Sequence, residues 1–519
     1  MIKTALQAET LILGKGLAGL VAAARLKKLG KKGVVVVGRG HGGSTEIAAL
    51  NAAMPGSPHD DSPDRHAADM VAAGYGLSDQ SLLPPMCAVL PEAVHFLEEI
   101  GVAFARENGF YKLRQTSGCS CPRSLCDTNG LVGKQILASL TAYLNGFATF
   151  VDGQAVRLLV EDGKAAGAVV LTPQNELLTV RSPFVLAAWG GAGDLFPNST
   201  YTQDVDGSGL AAAYEAGLAL TDLEFVEYEP MVTLFPLEAF GEPCPTAMLG
   251  EGAYLLNTDG ERFLLKKRPQ GEAGAAKTLI NKAIGEELAA GKGTDKGGVY
   301  ADLRHLPIET LRAYPWFYNR LLTAGRDVKK ELLDVGPVAH SHSGGIVVNA
   351  RCETAIPGLY AVGEASGGYH GACRMGGNAA PQTLGTGFLA AGEVAGKAAP
   401  AISAAAGVPD IAVNPAVRQG IRASVHAILN DGMGLVRTRT GLTQALEKLA
   451  VLKAEAASDV LAASRVTGAE LLCVAARARE ETRGTHNRGD FPESLPERFS
   501  LTLTRQEGAS PVVGRVSRA

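Results

Sequence analysis

Two short apolar runs flank an alanine-rich segment in residues 9–37, ETLILGKGLAGLVAAARLKKLGKKGVVVV. The order predicts a strand, a turn, a helix and a second strand, and the turn carries Gly14-x-Gly16-x-x-Gly19. Glycines at those places allow a tight turn and bring backbone close to a pyrophosphate on the positive end of the helix. Framed by strand, helix and strand, the motif is a far stronger signal than it is alone. An acidic residue normally ends the second strand of such a unit and holds the adenosine ribose. Here VVVVGRG places Gly38 and then Arg39 at that point. A further apolar run, FVLAAWGGAG at 184–193, predicts a buried strand that turns back at glycines, and DGERF at 259–263 predicts a hairpin tip.

Between about 240 and 335 the glycine-rich pattern stops, and mixed strand and helix character predicts an inserted domain. Glycines return at Gly344 and are densest between Gly358 and Glu393, with Arg374 in their midst. Glycine loses the most chain entropy on folding, so such a cluster marks either a loop between strands or backbone that must approach something bulky. Beyond 411, apolar residues recur at helical spacing in VRQGIRASVHAILN, GLTQALEKLAVLKAEAASDVLAASRV and GAELLCVAARAREETR, which predicts a C-terminal helical domain. The small-residue stretch AGKAAPAISAAAGVPD reads as the linker before it.

Composition narrows the function classes. A chain of 519 residues with 46% apolar and 20% charged residues and a net charge of −4 is an ordinary folded protein with several domains. Its basic residues are dispersed, which sets nucleic-acid binding aside. No apolar run approaches the length of about 18 residues needed to span a bilayer, and the N-terminus lacks the features of a secretory signal. Eight cysteines at irregular spacing read as thiols, so the expected compartment is cytoplasmic.

Several motifs, taken in order, resemble the flavoprotein subunits of succinate dehydrogenase, fumarate reductase and L-aspartate oxidase. They are GKGLAGLVAAARL, GGSTEIAALNAA at 42–53, DVDGSGLAAAYEAGLALTDLEFVEYEP at 204–230, GEGAYLLNTDGERF at 250–263, VAHSHSGGI at 338–346, PGLYAVGEASGGYHGACRMGGNA at 357–379 and ETRGTHNRGDFPE at 481–493. The resemblance implies an α/β fold with a split Rossmann-like FAD-binding domain (1–239 and 336–410), an inserted α+β capping domain (240–335) and a C-terminal helical domain (411–519). It implies FAD contacts at Gly14, Gly16, Gly19, Gly43, Ser44, Thr45, Gly190, Gly191, Asp206, Glu364, Gly377 and Asn378. Glu364 matches a residue on the ribityl chain, and Arg374 matches the arginine that clamps a substrate carboxylate over the flavin, a task suited to its planar, permanently charged fork. His340 matches the histidine that binds the same acid.

Other positions depart from the family pattern. The dicarboxylate enzymes carry a histidine in HPTG, a TEG motif and a proton-donating arginine, and the matching positions here are Glu229, Pro245 with Thr246, and Lys277. A glutamate facing a dianion repels it, so fumarate and succinate are not the expected substrates; Glu229 would suit an amine or act as a base. Lys277 is either the replacement acid or a solvated lysine. Cys119, Cys121 and Cys126 are one short of a zinc site, and no metal is expected. They are ordinary loop thiols or a redox pair near the flavin, with Cys373 as a further candidate.

The expected activity is hydride transfer between FAD and a small carboxylate-bearing substrate, and the possible electron partner is an iron–sulfur subunit. The alternatives are an electron-transfer or assembly subunit that carries FAD without substrate chemistry, and a flavin-free structural relative. RGHGGSTE lies where membrane-complex members carry the histidine that binds FAD covalently, with His41 about one position away, and it resembles the GGNT form without a covalent link. Acid precipitation of the purified protein should therefore leave yellow flavin in the supernatant. Flavin retained in the washed pellet would show a covalent bond.

Overall fold

The computed structural model describes residues 2–40, 42–127, 132–401, 410–508 and 510–518. His41 and half of the proposed linker, 402–409, lie outside the described residues. The body is built on a five-stranded parallel sheet in the order Leu359–Ala361, Phe184–Ala187, Thr10–Leu13, Val34–Gly38, Thr149–Asp152. Its three inner strands are near-continuous apolar runs because a parallel sheet is covered on both faces. Leu11, Ile12, Val36, Val185 and Leu186 are fully buried. The helix Leu17–Lys28 connects Thr10–Leu13 to Val34–Gly38 and ends in Arg25, Lys27 and Lys28, which complement its C-terminal dipole. It packs against the helix Ala379–Ala395, and small residues set the distance: a Cβ on Gly387 would lie 2.5 Å from the Ala18 carbonyl oxygen.

A four-stranded sheet is inserted into this body. It comprises Val226–Phe235, Leu333–His342, Val299–Asp302 and Tyr254–Leu256 in that spatial order, all antiparallel, with its own apolar core around Leu255, Phe263, Ile284, Val299 and Phe317. The sheet reaches past 240–335 on both sides, because its two long strands carry the chain out of the body and back. DGERF forms a turn closed by Asn257 N donating to the Glu261 carbonyl, but no second strand succeeds it. The 3-10 helix Phe263–Lys266 takes that place, since burying Phe263 and Leu264 in the insert's core takes precedence over strand pairing.

The C-terminal region contains the helices Arg418–Gly432, Arg439–Ala456 and Val460–Ala478. It also contains a hairpin, Phe499–Thr504 with Val512–Ser517, that adds to the short strands Leu220–Thr221 and Gly345–Ile346. Sequence periodicity did not reveal the hairpin. Among the described residues no helix is long and apolar enough to cross a membrane.

Gly14 shows what the first turn demands. Its φ is +132°, and a Cβ there would lie 2.1 Å from the Ala188 carbonyl oxygen. At Gly30, φ is +75° but nothing lies within 4 Å of an added Cβ. Gly30→Ala should cost only the backbone strain, about 1 kcal/mol, whereas Gly14→Ala should cost about 3 kcal/mol or more. Urea unfolding of the two variants checks the order.

Candidate functional site

The glycine turn opens into a groove lined by Gly14, Gly16, Arg39, Gly43, Thr45, Gln154, Trp189 to Gly191 and Asp206. Thr45 secures its wall: Oγ1 accepts from Leu17 N at 3.2 Å and donates to the Gly42 carbonyl at 2.7 Å. An added Cβ on Gly43 would meet open space. Buried Arg39 Nε and Trp189 Nε1 have no hydrogen-bond partner among the described residues. Asp206 is engaged within the groove wall, accepting from Gln154 Nε2 at 2.8 Å and from Ser208 N at 3.0 Å at the start of the helix Ser208–Glu215.

A second cavity of about 200 Å³ adjoins this groove, and Leu17, Ser44, Thr45, Glu364 and Thr383 line both. Glu364 stands between them. Its carboxylate accepts from Tyr201 Oη, from His342 N at 2.9 Å and from Gly191 N at 3.1 Å. Burial raises its pKa, with these three bonds opposing. At the far end, Gly377 has φ +71°, and a Cβ would lie 2.6 Å from Asn51 Oδ1. Asn378 precedes the helix Ala379–Ala395 and accepts from His66 Nε2 at 2.7 Å, while its buried Nδ2 has no partner among the described residues. The two joined cavities, glycine-lined at both ends and bordered by Arg39 and Trp189 with their unpartnered Nε and Nε1, fit a long dinucleotide such as FAD.

Lys277, His340 and Arg374 line the second cavity. Strand geometry brings their partners together. Successive side chains alternate across a strand, so Glu227 and Glu229 share one face of Val226–Phe235, and Tyr228 turns away to donate to the Met433 carbonyl at 2.9 Å. On the neighbouring strand the register steps from Glu227–Ser341 to Tyr228–Ala339. His340 is the extra residue of this bulge, a device that re-aims a side chain.

Arg374 Nη2 donates to Glu227 Oε1 at 3.0 Å, Nε to Ser341 Oγ at 3.1 Å and Nη1 to the Met375 carbonyl at 3.1 Å. Lys277 Nζ lies 2.5 Å from Glu229 Oε2 and 3.4 Å from Glu227 Oε1. Lys277 opens the helix Lys277–Ala289, where the dipole disfavours a cation, and the two glutamates offset this. His340 Nδ1 sits 3.0 Å from Thr200 Oγ1, and Nε2 lies 4.0 Å from Glu229 Oε2.

Glu227 is 3% exposed, and burial alone would raise its pKa; Arg374 and then Lys277 reverse that and hold it at about 2. Burial lowers Lys277, but Glu229 and Glu227 outweigh it, so the ammonium is held above its ordinary range. His340 is lowered to about 4, chiefly by burial, with Glu229 opposing and Lys277 and Arg374 assisting. The cluster thus sets two cations and two carboxylates around one neutral imidazole.

Sequence reasoning placed Glu229 facing the substrate. In the structure Glu229 is paired with Lys277 and does not line the cavity, because a partly buried ammonium at the start of a helix draws a counter-charge. Glu227 was missed, although the i, i+2 spacing in EYE was its signal. Pro245 and Thr246 lie just before the short helix Ala247–Gly250 of the insert and are not among the residues that line the cavity. All eight cysteines are free thiols. Cys119 Sγ lies 3.1 Å from Thr116 Oγ1, Cys121 Sγ accepts from Arg123 Nη2 at 3.3 Å, and Cys126 Sγ donates to the Lys112 carbonyl at 3.5 Å. Burial, then Glu227, pushes Cys373 up to about 12, so it is a thiol at neutral pH. Glu227, Glu229 and His340 offer ligand atoms within 4.8 Å of one another, but Arg374 and Lys277 already hold both carboxylates.

A family model described as an FAD binding domain matches residues 9–380, and one for the fumarate reductase flavoprotein C-terminus matches 462–511. The chain belongs to the FAD-dependent fumarate reductase and L-aspartate oxidase flavoprotein family. It is 31% identical to a subunit of the CoM/CoB fumarate reductase of Methanothermobacter marburgensis, covering 96% of this chain and 97% of the relative. It is 32% identical to L-aspartate oxidase of Caulobacter vibrioides, covering 96% of each. Among solved structures, an E. coli quinol fumarate reductase chain superposes with a TM-score of 0.85 at 26% identity, covering 99% of this chain and 97% of that one. The flavoprotein fold, the FAD cofactor and the oxidoreductase class expected from the motifs are therefore established for this chain.

Histidines held neutral in the fold give this flavoprotein a definite pH response. His66, His340, His342 and His370 are each lowered from 6.5 to about 4, burial being the first cause. Between those values the unfolded chain binds protons that the folded chain does not, so stability is lost as pH falls. The melting temperature should fall progressively from pH 6.5 to pH 4, and a flat profile across that window would contradict neutral burial.

Proposed function

We propose that the protein transfers hydride between non-covalently held FAD and a small carboxylate-bearing molecule other than fumarate or succinate. Bound FAD supplies hydride acceptance or donation at its N5. One observation carries the rest. Arg374 uses three of its five N–H groups to fix itself on Ser341, Met375 and Glu227, leaving two for one carboxylate in the adjoining cavity. His340, neutral and re-aimed by the bulge, adds a further hydrogen-bonding group on the same wall. Orientation of this kind can lower a barrier by several kcal/mol, about 7 or more in favourable cases. Lys277 holds a proton at Nζ, and Glu229 positions it for delivery to, or recovery from, the substrate.

The charge of the site supports a monocarboxylate. Its cations already have carboxylates of their own, so a dianion would add two negative charges to a cluster without surplus positive charge. The relative named as a fumarate reductase subunit supports an electron partner on a separate chain, for which an iron–sulfur subunit is the proposed type.

The test is anaerobic reoxidation of the chemically reduced holoprotein by a panel of unsaturated and oxo acids, in wild type and Arg374→Ala. Fumarate should react slowly, at least one monocarboxylate rapidly, and the variant at least about thirtyfold more slowly with FAD content unchanged, matching about 2–5 kcal/mol for a desolvated charge contact. Rapid fumarate reduction would overturn the substrate assignment. Flavin indifferent to every acid would favour an electron carrier without substrate chemistry.

A further inference from the structure

The hydride-transfer reading leaves Glu227 without a chemical task, and the inference here rests on that reading. Glu227 is buried and does not line the cavity, yet its Oε1 touches both cavity cations, Arg374 at 3.0 Å and Lys277 at 3.4 Å. Its Oε2 has no hydrogen-bond partner among the described residues. A buried carboxylate held by two cations through one oxygen, with the other oxygen bare, is an expensive way to fix an arginine. Ser341 and the Met375 carbonyl already orient the guanidinium. What Glu227 adds is charge. Without it, the cavity wall would carry Arg374 and Lys277 against Glu229 alone, a surplus of one positive charge suited to a second carboxylate.

We propose that Glu227 is a specificity-determining residue that acts through Arg374 and Lys277: its buried negative charge cancels the surplus that a dicarboxylate would need, and so restricts the site to substrates with one carboxylate. It is a positioning and charge-setting residue. Glutamine has nearly the same shape and keeps one acceptor for Arg374, so Glu227→Gln removes the charge with little change in packing.

The test is titration of oxidised holoprotein with butyrate and with succinate, a matched pair differing by one carboxylate, read by perturbation of the flavin absorption band. In wild type, butyrate should bind at least as tightly as succinate. In Glu227→Gln the ratio of succinate to butyrate affinity should rise about tenfold or more, as expected for one fewer negative charge near a buried carboxylate site. Glu227→Asp should restore the wild-type ratio. A merely structural role would weaken both acids together and leave the ratio unchanged, which would overturn the proposal. The wild-type comparison stands even if the glutamine variant fails to fold: succinate binding clearly tighter than butyrate would by itself refute charge restriction. If both acids bind and only the ratio ignores Glu227, the carboxylate-substrate reading survives alone. If neither acid perturbs the flavin in either protein, both readings fall.

Discussion

Glu227 meets Arg374, and Glu229 meets Lys277, where the strand Val226–Phe235 leaves the body, and the first of these pairs ties the insert to the body while the second fixes a helix of the insert to the same strand. The four members come from three separate pieces of chain. The arginine belongs to the glycine-rich segment of the body, the glutamates to the strand that leaves it, and the lysine to the first turn of a helix in the insert. Removing one partner leaves a buried charge uncompensated, which typically costs about 3–5 kcal/mol. The ion pairs are therefore a condition of the shape as well as a feature of the site. They hold Lys277 against the adverse end of its helix dipole, and they keep Arg374 charged with its fork turned toward the cavity.

The legible parts of the chain were those in which a local pattern has one physical reading. Thr10–Leu13, Leu17–Lys28 and Val34–Gly38 arise from apolar runs and a glycine turn that only a covered parallel sheet satisfies. Arg374 stood out in its glycine-rich surroundings, and His340 through the likeness of VAHSHSGGI to the family motif. The illegible parts depended on partners distant in sequence. Nothing near Glu227 announces that Arg374, 147 residues away, will neutralise it. The hairpin Phe499–Thr504 with Val512–Ser517 joins a sheet through Leu220–Thr221, so its pairing is non-local and its short strands lie outside any helical pattern. DGERF carried a correct turn signal, but the element after the turn is decided by the core that receives Phe263.

A second buried ion network supports the site from behind. Arg479 donates to Glu224 Oε1 at 2.5 Å and to Glu481 Oε1 at 2.6 Å, Arg483 Nε donates to Glu481 Oε2 at 2.9 Å, and Arg437 Nη1 reaches the Glu224 carbonyl at 2.6 Å. Glu224 lies just before the strand that carries Glu227 and Glu229, so the C-terminal region fixes the root of that strand through charges that cannot slide. Buried ion pairs are weak stabilisers compared with apolar packing, but they are strict about geometry. That strictness suits a strand whose side chains must meet an arginine and a lysine from two other segments.

The placement of the reactive groups reflects where the two long strands of the insert are anchored. Val226 pairs with His342 at the body end of the ladder, and the bulge at His340 comes only two residues further along. Glu227, Ser341 and His340 thus stand at the root of the strand pair, next to the dinucleotide groove, while Lys277 comes from the first turn of the helix Lys277–Ala289. In the proposed reaction the members at the strand root are those that would orient a carboxylate, and Lys277 is the one that would carry a proton. The helix of Lys277 packs on that same strand, with Asn281 Nδ2 donating to the Tyr228 carbonyl at 2.7 Å, so the ammonium is held in register with Glu229 and Glu227 and, through Glu227, with Arg374.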